Sequence, residues 1–246
     1  MKHMWELKQS VEGVLELYIY GYVQGDERNW YGDVIKSETS ANHFRKELEA
    51  HKDISEIRIY INSGGGSVFE GTAIYNQLKR HPAKKVVHVD GFACSIASVI
   101  AMAGDEVVMP RNALMMIHNM TLGVYGNAAE LRKSADDLDT INEAGRQAYL
   151  SRAGDKLTED KLVEMMDAET WLTAEQCIAY GFADRYADAD ADMSKASEVL
   201  QHANISLEQR IQIQKSLAAQ LREMVAPAVP QPKTPTENII IKMFFP

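Results

Sequence analysis

Residues 54–91 read "ISEIRIYINSGGGSVFEGTAIYNQLKRHPAKKVVHVDG". In the first part, Ile57, Ile59 and Ile61 alternate with Arg58 and Tyr60, which is the two-residue period of a strand with one face buried. Past the glycines, Val68, Gly71, Tyr75 and Leu78 fall at helical spacing, and "KKVVHVDG" returns to a strand. Strand, helix, strand is a crossover, the unit from which parallel sheets are built.

The pattern extends in both directions. "VLELYIYGYV" at 14–23 reads as a strand and "SANHFRKELEAH" at 40–51 as a short helix. Downstream come the helix "SIASVIAMAG", the strands "DEVVMP" and "ALMMIHN", and a long helix from Asn127 to about Ala153. That helix carries Leu131, Ala135, Leu138 and Ile141 along one stripe. A further helix follows Thr158, and "TAEQCIAYG" offers Thr173 and Gln176 as a capping box with Gly181 as a left-handed stop. The alternation predicts an α/β domain with parallel strands, ending near Tyr186. Residues 187–246 differ in texture: an amphipathic helix over about 206–224, a Pro-rich linker, with five of the seven prolines falling after Ala226, and a hydrophobic end, "IIIKMFF".

Composition narrows the function. The chain has 246 residues, 46% of them hydrophobic, so it can bury a sizeable core. A formal net charge of -9 argues against nucleic acid as a partner. The longest apolar run, around Ile96 to Ala103, is too short to cross a membrane. Two cysteines, Cys94 and Cys177, and no hydrophobic signal segment at the start lead us to expect a reducing cytoplasm and no disulfide framework. No metal or cofactor is called for by any motif.

Three places carry candidate chemistry. "INSGGGSVFEG" lies where a strand meets a helix, but it lacks the Lys and Ser/Thr of a P-loop, and its glycines miss the dinucleotide spacing. Either the glycines make a tight turn, or they bring backbone N–H groups close to a ligand. "GFACSIASVIAMAG" sets Cys94 and Ser95 at the mouth of an apolar run, as core fillers or as a nucleophile at a helix start. His118 ends a parallel-type strand, where ligand sites of open α/β sheets are built. "MDAETWLTAEQ" then supplies Asp167 and Glu169 before a helix, either as solvated caps or as the carboxylate that holds an imidazole's tautomer.

Taken together, "INSGGGSVFEGTAIYNQLK", "GFACSIASVIAMAG", "MIHN" and "TWLTAEQCIAYGFAD" resemble, in order, four motifs of the ClpP family of serine peptidases. The resemblance spans roughly residues 14–186 and is greater to the ClpP-like head maturation (prohead) proteases of phages and prophages. It implies a ClpP/crotonase-like fold of repeated strand-helix units, with a C-terminal helical and Pro-rich extension. The implied enzyme is a serine endopeptidase that uses no ATP of its own and forms a homo-oligomeric ring. Its substrates would be capsid or scaffold polypeptides, cut in the host cytoplasm or inside the assembling prohead. By position, Ser95 resembles the nucleophile, His118 the general base, and Gly66 and Ile96 the oxyanion donors. Glu169 stands where the family usually has Asp, which keeps Asp167 open as the third member. Gly64 stands where the family commonly has Pro. Cys94 is expected to pack away from the cleft. The alternatives are a housekeeping ClpP subunit served by an ATP-driven unfoldase, and a non-catalytic ring or scaffold component.

Overall fold

The structure, a computed structural model, describes residues 5–11, 13–51 and 53–188. The expected helix over 206–224, the Pro-rich linker and the hydrophobic end lie outside the described residues. The last regular element described is β10, Arg185–Tyr186, beside the expected end of the domain.

The crossover read from residues 54–91 is present as β5 (Glu56–Gly66), α2 (Val68–Arg80) and β6 (Lys84–Cys94), with β5 and β6 parallel. Before it stand β1 (Trp5–Val11), β2 (Val14–Val23), a small hairpin of β3 (Glu27–Arg28) and β4 (Val34–Ile35), and α1 (Ala41–Ala50). After it come α3 (Ile96–Ala101), β7 (Glu106–Met109), β8 (Leu114–Ile117), α4 (Ala128–Ala153), α5 (Glu159–Asp167), β9 (Thr170–Thr173) and α6 (Ala174–Ala179). The main sheet runs β1-β2-β5-β6-β7-β10, with β8 and β9 branching from β6.

Most strand pairs of the main sheet are parallel, as expected, and two are antiparallel. β1 pairs antiparallel with β2, and β9 pairs antiparallel with β8. The four residues "TWLT" run straight into a helix, so β9 has no turn of its own to announce it. The carboxylates Asp167 and Glu169 therefore precede a strand, not a helix.

Alternation decides which sheet face is buried. Leu15, Leu17 and Ile19 of β2 pack with Ile57, Ile59 and Ile61 of β5 and with Val87 and Val89 of β6, all fully buried. Each such side chain is worth about 1.5–3 kcal/mol when withdrawn from water. The opposite face is half-exposed, where Tyr18 stacks on Tyr60 at 4.7 Å and Tyr60 on His88 at 5.0 Å. Parallel sheets usually have both faces covered. Here the covering on the second face is a rank of aromatic rings.

α4 has its boundaries where the sequence sets them, with Asn127 and Glu130 forming a capping box. Its stripe is another matter. Leu131 and Ala135 are exposed and Leu138 and Ile141 partly so, whereas the buried positions are Asn142, Ala148, Tyr149 and Ala153. The stripe therefore does not face the chain's own core: the apolar side of the first half of α4 points outward.

What positions the candidate site is a fork in β6. Its first half pairs with β7 through Val86, Val87 and His88, and its last three residues pair with β8 instead, Cys94 standing opposite Met116. The end of β6 is thereby carried to the end of β8.

Candidate active site

Ser95 follows β6 and stands at the N-cap of α3, with φ 53° and ψ -130°. Its N–H donates to the Met116 carbonyl at 2.8 Å, which continues the β6–β8 pairing by one residue. His118 comes just past β8, and its Nε2 lies 2.8 Å from Ser95 Oγ. Residues 23 apart in sequence meet because the register sets Cys94 against Met116.

The hydroxyl of Ser95 makes no capping bond to α3. An N-cap serine ordinarily accepts from the N2 or N3 amide, so this side chain is turned away from that duty and toward the imidazole. Positive φ at a residue with a β-carbon costs about 1–3 kcal/mol. Among the described residues, Ser95 and Glu169, at φ 48°, are the two non-glycine positions with positive φ. Both are candidate site residues, and such strain persists where the surroundings hold it in place.

The glycine run approaches from β5. It is not a tight turn, since strand β5 continues through Gly66. Gly65, at φ 101°, has no room for a side chain: a Cβ there would lie 2.7 Å from Ser95 Cβ and 2.9 Å from the Cys94 carbonyl oxygen. Gly66 is as confined, with a Cβ falling 2.2 Å from the Val23 carbonyl. That carbonyl accepts from Ser67 N–H at 2.8 Å. Ile96 opens α3, and the N–H groups of a helix's first turn have no intrahelical partner. The Ile96 side chain is buried against Gly71, where a Cβ would fall 2.2 Å from Ile96 Cγ1. Gly65 was missed as a neighbour of Ser95, although its place in the glycine run was the signal.

The two carboxylates sit differently. β9 begins at Thr170, which pairs with Ile117, so Glu169 directly precedes the residue paired beside His118, with its own N–H donating to the Met166 carbonyl at 3.2 Å. Asp167 accepts from the Asn119 side-chain amide at 2.6 Å. Both carboxylate residues are exposed.

Cys94 is buried within a small cluster with Phe92, packed by Leu114 and Met116, and burial pushes its thiol up to about 12. A thiol so withdrawn from water is a poor source of thiolate. Cys177 is buried with its thiol likewise raised to about 12, and both cysteines are free. His51 and His81 are engaged locally, Nδ1 of His51 near the Glu47 carbonyl and Nδ1 of His81 accepting from Ala83 N–H. Among the described residues no helix is long and apolar enough to cross a membrane.

Comparison with known proteins identifies a family. The family model described as Clp protease matches residues 26–190. The ATP-dependent Clp protease proteolytic subunit 1 of Streptomyces avermitilis is 31% identical over 162 residues, covering 63% of this chain and 73% of that protein. The ATP-dependent Clp protease proteolytic subunit 3 of Rhodococcus jostii is 29% identical over 141 residues, 56% of this chain and 69% of its own length. The ATP-dependent Clp protease proteolytic subunit of Deinococcus radiodurans is 28% identical over 188 residues, 74% of this chain and 90% of that protein. With its α/β architecture, its strand-end serine and histidine, and a family match over most of its length, this chain belongs to the Clp protease family.

Proposed function

We propose that the chain is a serine endopeptidase in which Ser95 is the nucleophile, His118 the general base and Glu169 the carboxylate that orients the imidazole. The observation that carries this reading is the 2.8 Å approach of Ser95 Oγ to His118 Nε2, made by a serine whose backbone is strained and whose hydroxyl is withheld from capping. His118 Nε2 takes the Ser95 proton as Oγ attacks a peptide carbonyl, and the imidazolium returns it to the leaving amine. The acyl-enzyme is then hydrolysed by the reverse sequence, with water in place of the amine. Negative charge on the carbonyl oxygen is met by the N–H groups of Gly66 and Ile96, one from each side of Ser95. Glu169 is favoured over Asp167 because it directly precedes Thr170, the partner of Ile117 beside His118, while Asp167 is engaged by Asn119.

The substrates are polypeptides, and the outward apolar side of α4 suits a homo-oligomeric ring. On the resemblance to prohead proteases, the narrower reading is ATP-independent cleavage of capsid or scaffold proteins during phage head maturation. A second reading, a subunit served by an ATP-driven unfoldase, is favoured by the names of the relatives, which are those of ATP-dependent proteolytic subunits. Hydrolysis of a fluorogenic peptide and of casein by the purified chain, with and without ATP and a co-purified ATPase, tests both. Loss of hydrolysis in Ser95→Ala with retention in Cys94→Ala supports the nucleophile; the opposite pair of results moves the chemistry to the thiol. Cleavage of a folded protein only with ATP and the ATPase would decide for the second reading of the substrate.

A further inference from the structure

We infer that one face of α4, formed by Asn142, Gly145 and Tyr149, positions both members of the Ser95–His118 pair. This inference rests on the serine peptidase reading above and adds residues to it.

Of the 26 residues of α4, the buried ones are Asn142, Ala148, Tyr149 and Ala153, so a helix exposed along much of its length buries an amide and a phenol. Filling space at such positions needs only apolar side chains, and a buried polar group is costly unless it is bonded. Asn142, Gly145 and Tyr149 are spaced three and four apart, which puts them on one face of the helix. Each of them reaches a segment that holds a reacting side chain.

Tyr149 reaches the nucleophile. Its hydroxyl lies 2.7 Å from Ser98 Oγ, and Ser98 Oγ donates to the Ser95 carbonyl at 2.6 Å. Serine has one hydroxyl proton, and here it is directed at Ser95, so the Tyr149 O–H is the donor to Ser98. The result is a chain from Tyr149 through Ser98 to the carbonyl of the strained residue, on the opposite side of that residue from its N–H bond to Met116. Hydrogen bonds in series polarise and strengthen one another. Burial keeps the Tyr149 phenol well above its ordinary value, so it remains a donor throughout the working pH range.

Asn142 and Gly145 reach the histidine segment. The Met120 N–H, two residues past His118, donates to Asn142 Oδ1 at 2.8 Å. A Cβ on Gly145 would lie 2.3 Å from Met120 Cε, so the Met120 side chain crosses α4 where a glycine leaves room. The turn that carries His118 is therefore held to the same helix that braces Ser95. Tyr149, Ser98 and Asn142 are positioning residues that act through Ser95 and His118.

The test uses the full chain and a fluorophosphonate, which reacts with an activated serine without needing the natural substrate. Second-order labelling constants are measured for wild type, Tyr149→Phe, Ser98→Ala, the Tyr149→Phe/Ser98→Ala double variant and Asn142→Leu, at a temperature where circular dichroism shows each to be folded. The expected result is a loss of about tenfold in Tyr149→Phe and in Asn142→Leu, the scale of one hydrogen bond. The double variant is expected to be no slower than Ser98→Ala alone, since Tyr149 acts through Ser98. A role in folding alone would lower the melting temperature and leave the labelling constants of the folded variants at the wild-type value, which would overturn the inference. Fully additive losses in the double variant would break the Tyr149 to Ser95 chain. A wild type that is not labelled at Ser95 would refute the peptidase reading itself, and this inference with it, an outcome recognisable because no variant would then label.

Discussion

Two serines occupy equivalent places in successive strand-to-helix crossings and are used in opposite ways. Ser67, between β5 and α2, has ordinary backbone angles, φ -66° and ψ 118°, and its hydroxyl accepts from the Glu70 N–H. Ser95, between β6 and α3, has φ 53°, makes no capping bond, and turns its hydroxyl to His118 at 2.8 Å. The first spends its side chain on stability. The second gives up a cap and takes on backbone strain, so that its oxygen faces an imidazole at a strand end. The contrast separates a structural serine from a chemical one without reference to sequence motifs, and it can be probed at both positions.

The largest expected effect is on turnover. Ser95→Ala should cut peptide hydrolysis by at least about 10⁴-fold, the scale seen when a triad nucleophile is lost. Ser67→Ala should keep turnover within about threefold and cost about 1 kcal/mol in urea unfolding, the worth of an N-cap. Comparable turnover losses at both positions would erase the distinction. Next in size is the pair of carboxylates. Glu169→Gln should lower kcat by about 10²–10⁴-fold, because an orienting carboxylate must remain charged beside the imidazole, whereas Asp167→Asn should change it only severalfold. The reverse ranking would make Asp167 the third member.

Smaller effects report on the strain. Gly65→Ala places a Cβ 2.7 Å from that of Ser95 at φ 101°, so both stability and turnover should fall, the former by about 1–3 kcal/mol. Ser95→Gly should instead raise stability by about 1 kcal/mol while abolishing hydrolysis, since glycine adopts positive φ without strain. A loss of stability in Ser95→Gly would mean that the serine contributes packing rather than strain. The smallest effect expected is none at all: iodoacetamide at pH 8 should leave Cys94 and Cys177 unmodified in the folded chain and turnover unchanged. Burial raises both thiols to about 12, so pH 8 lies far below the point at which either becomes a thiolate. Rapid alkylation of Cys94 with loss of turnover would contradict that.

What the sequence made legible was local. The alternation of Ile57, Ile59 and Ile61, the caps at Asn127, Thr158 and Thr173, and the left-handed Gly181 are set by residues within a few positions of each other, and all are present. The fork in β6 is a property of register between distant strands, and nothing near Phe92 or Cys94 announces it. β9 is hidden for a related reason, as four residues that pair with β8 and then enter a helix. The stripe on α4 was legible as a stripe, but periodicity does not say what covers it. Ser95 and His118 could be singled out by residue type and motif order, whereas Ser98, Asn142 and Tyr149 matter through contacts that span up to 51 residues.

The central claim is that Ser95 is the residue at which chemistry starts. Treatment of the purified full chain with a fluorophosphonate, followed by peptide mass mapping, tests it most directly. The account predicts one adduct per chain, on the peptide containing Ser95, absent from Ser95→Ala and unaffected in Ser67→Ala. An adduct on any other serine, or on Cys94, together with hydrolysis that survives in Ser95→Ala, would contradict it.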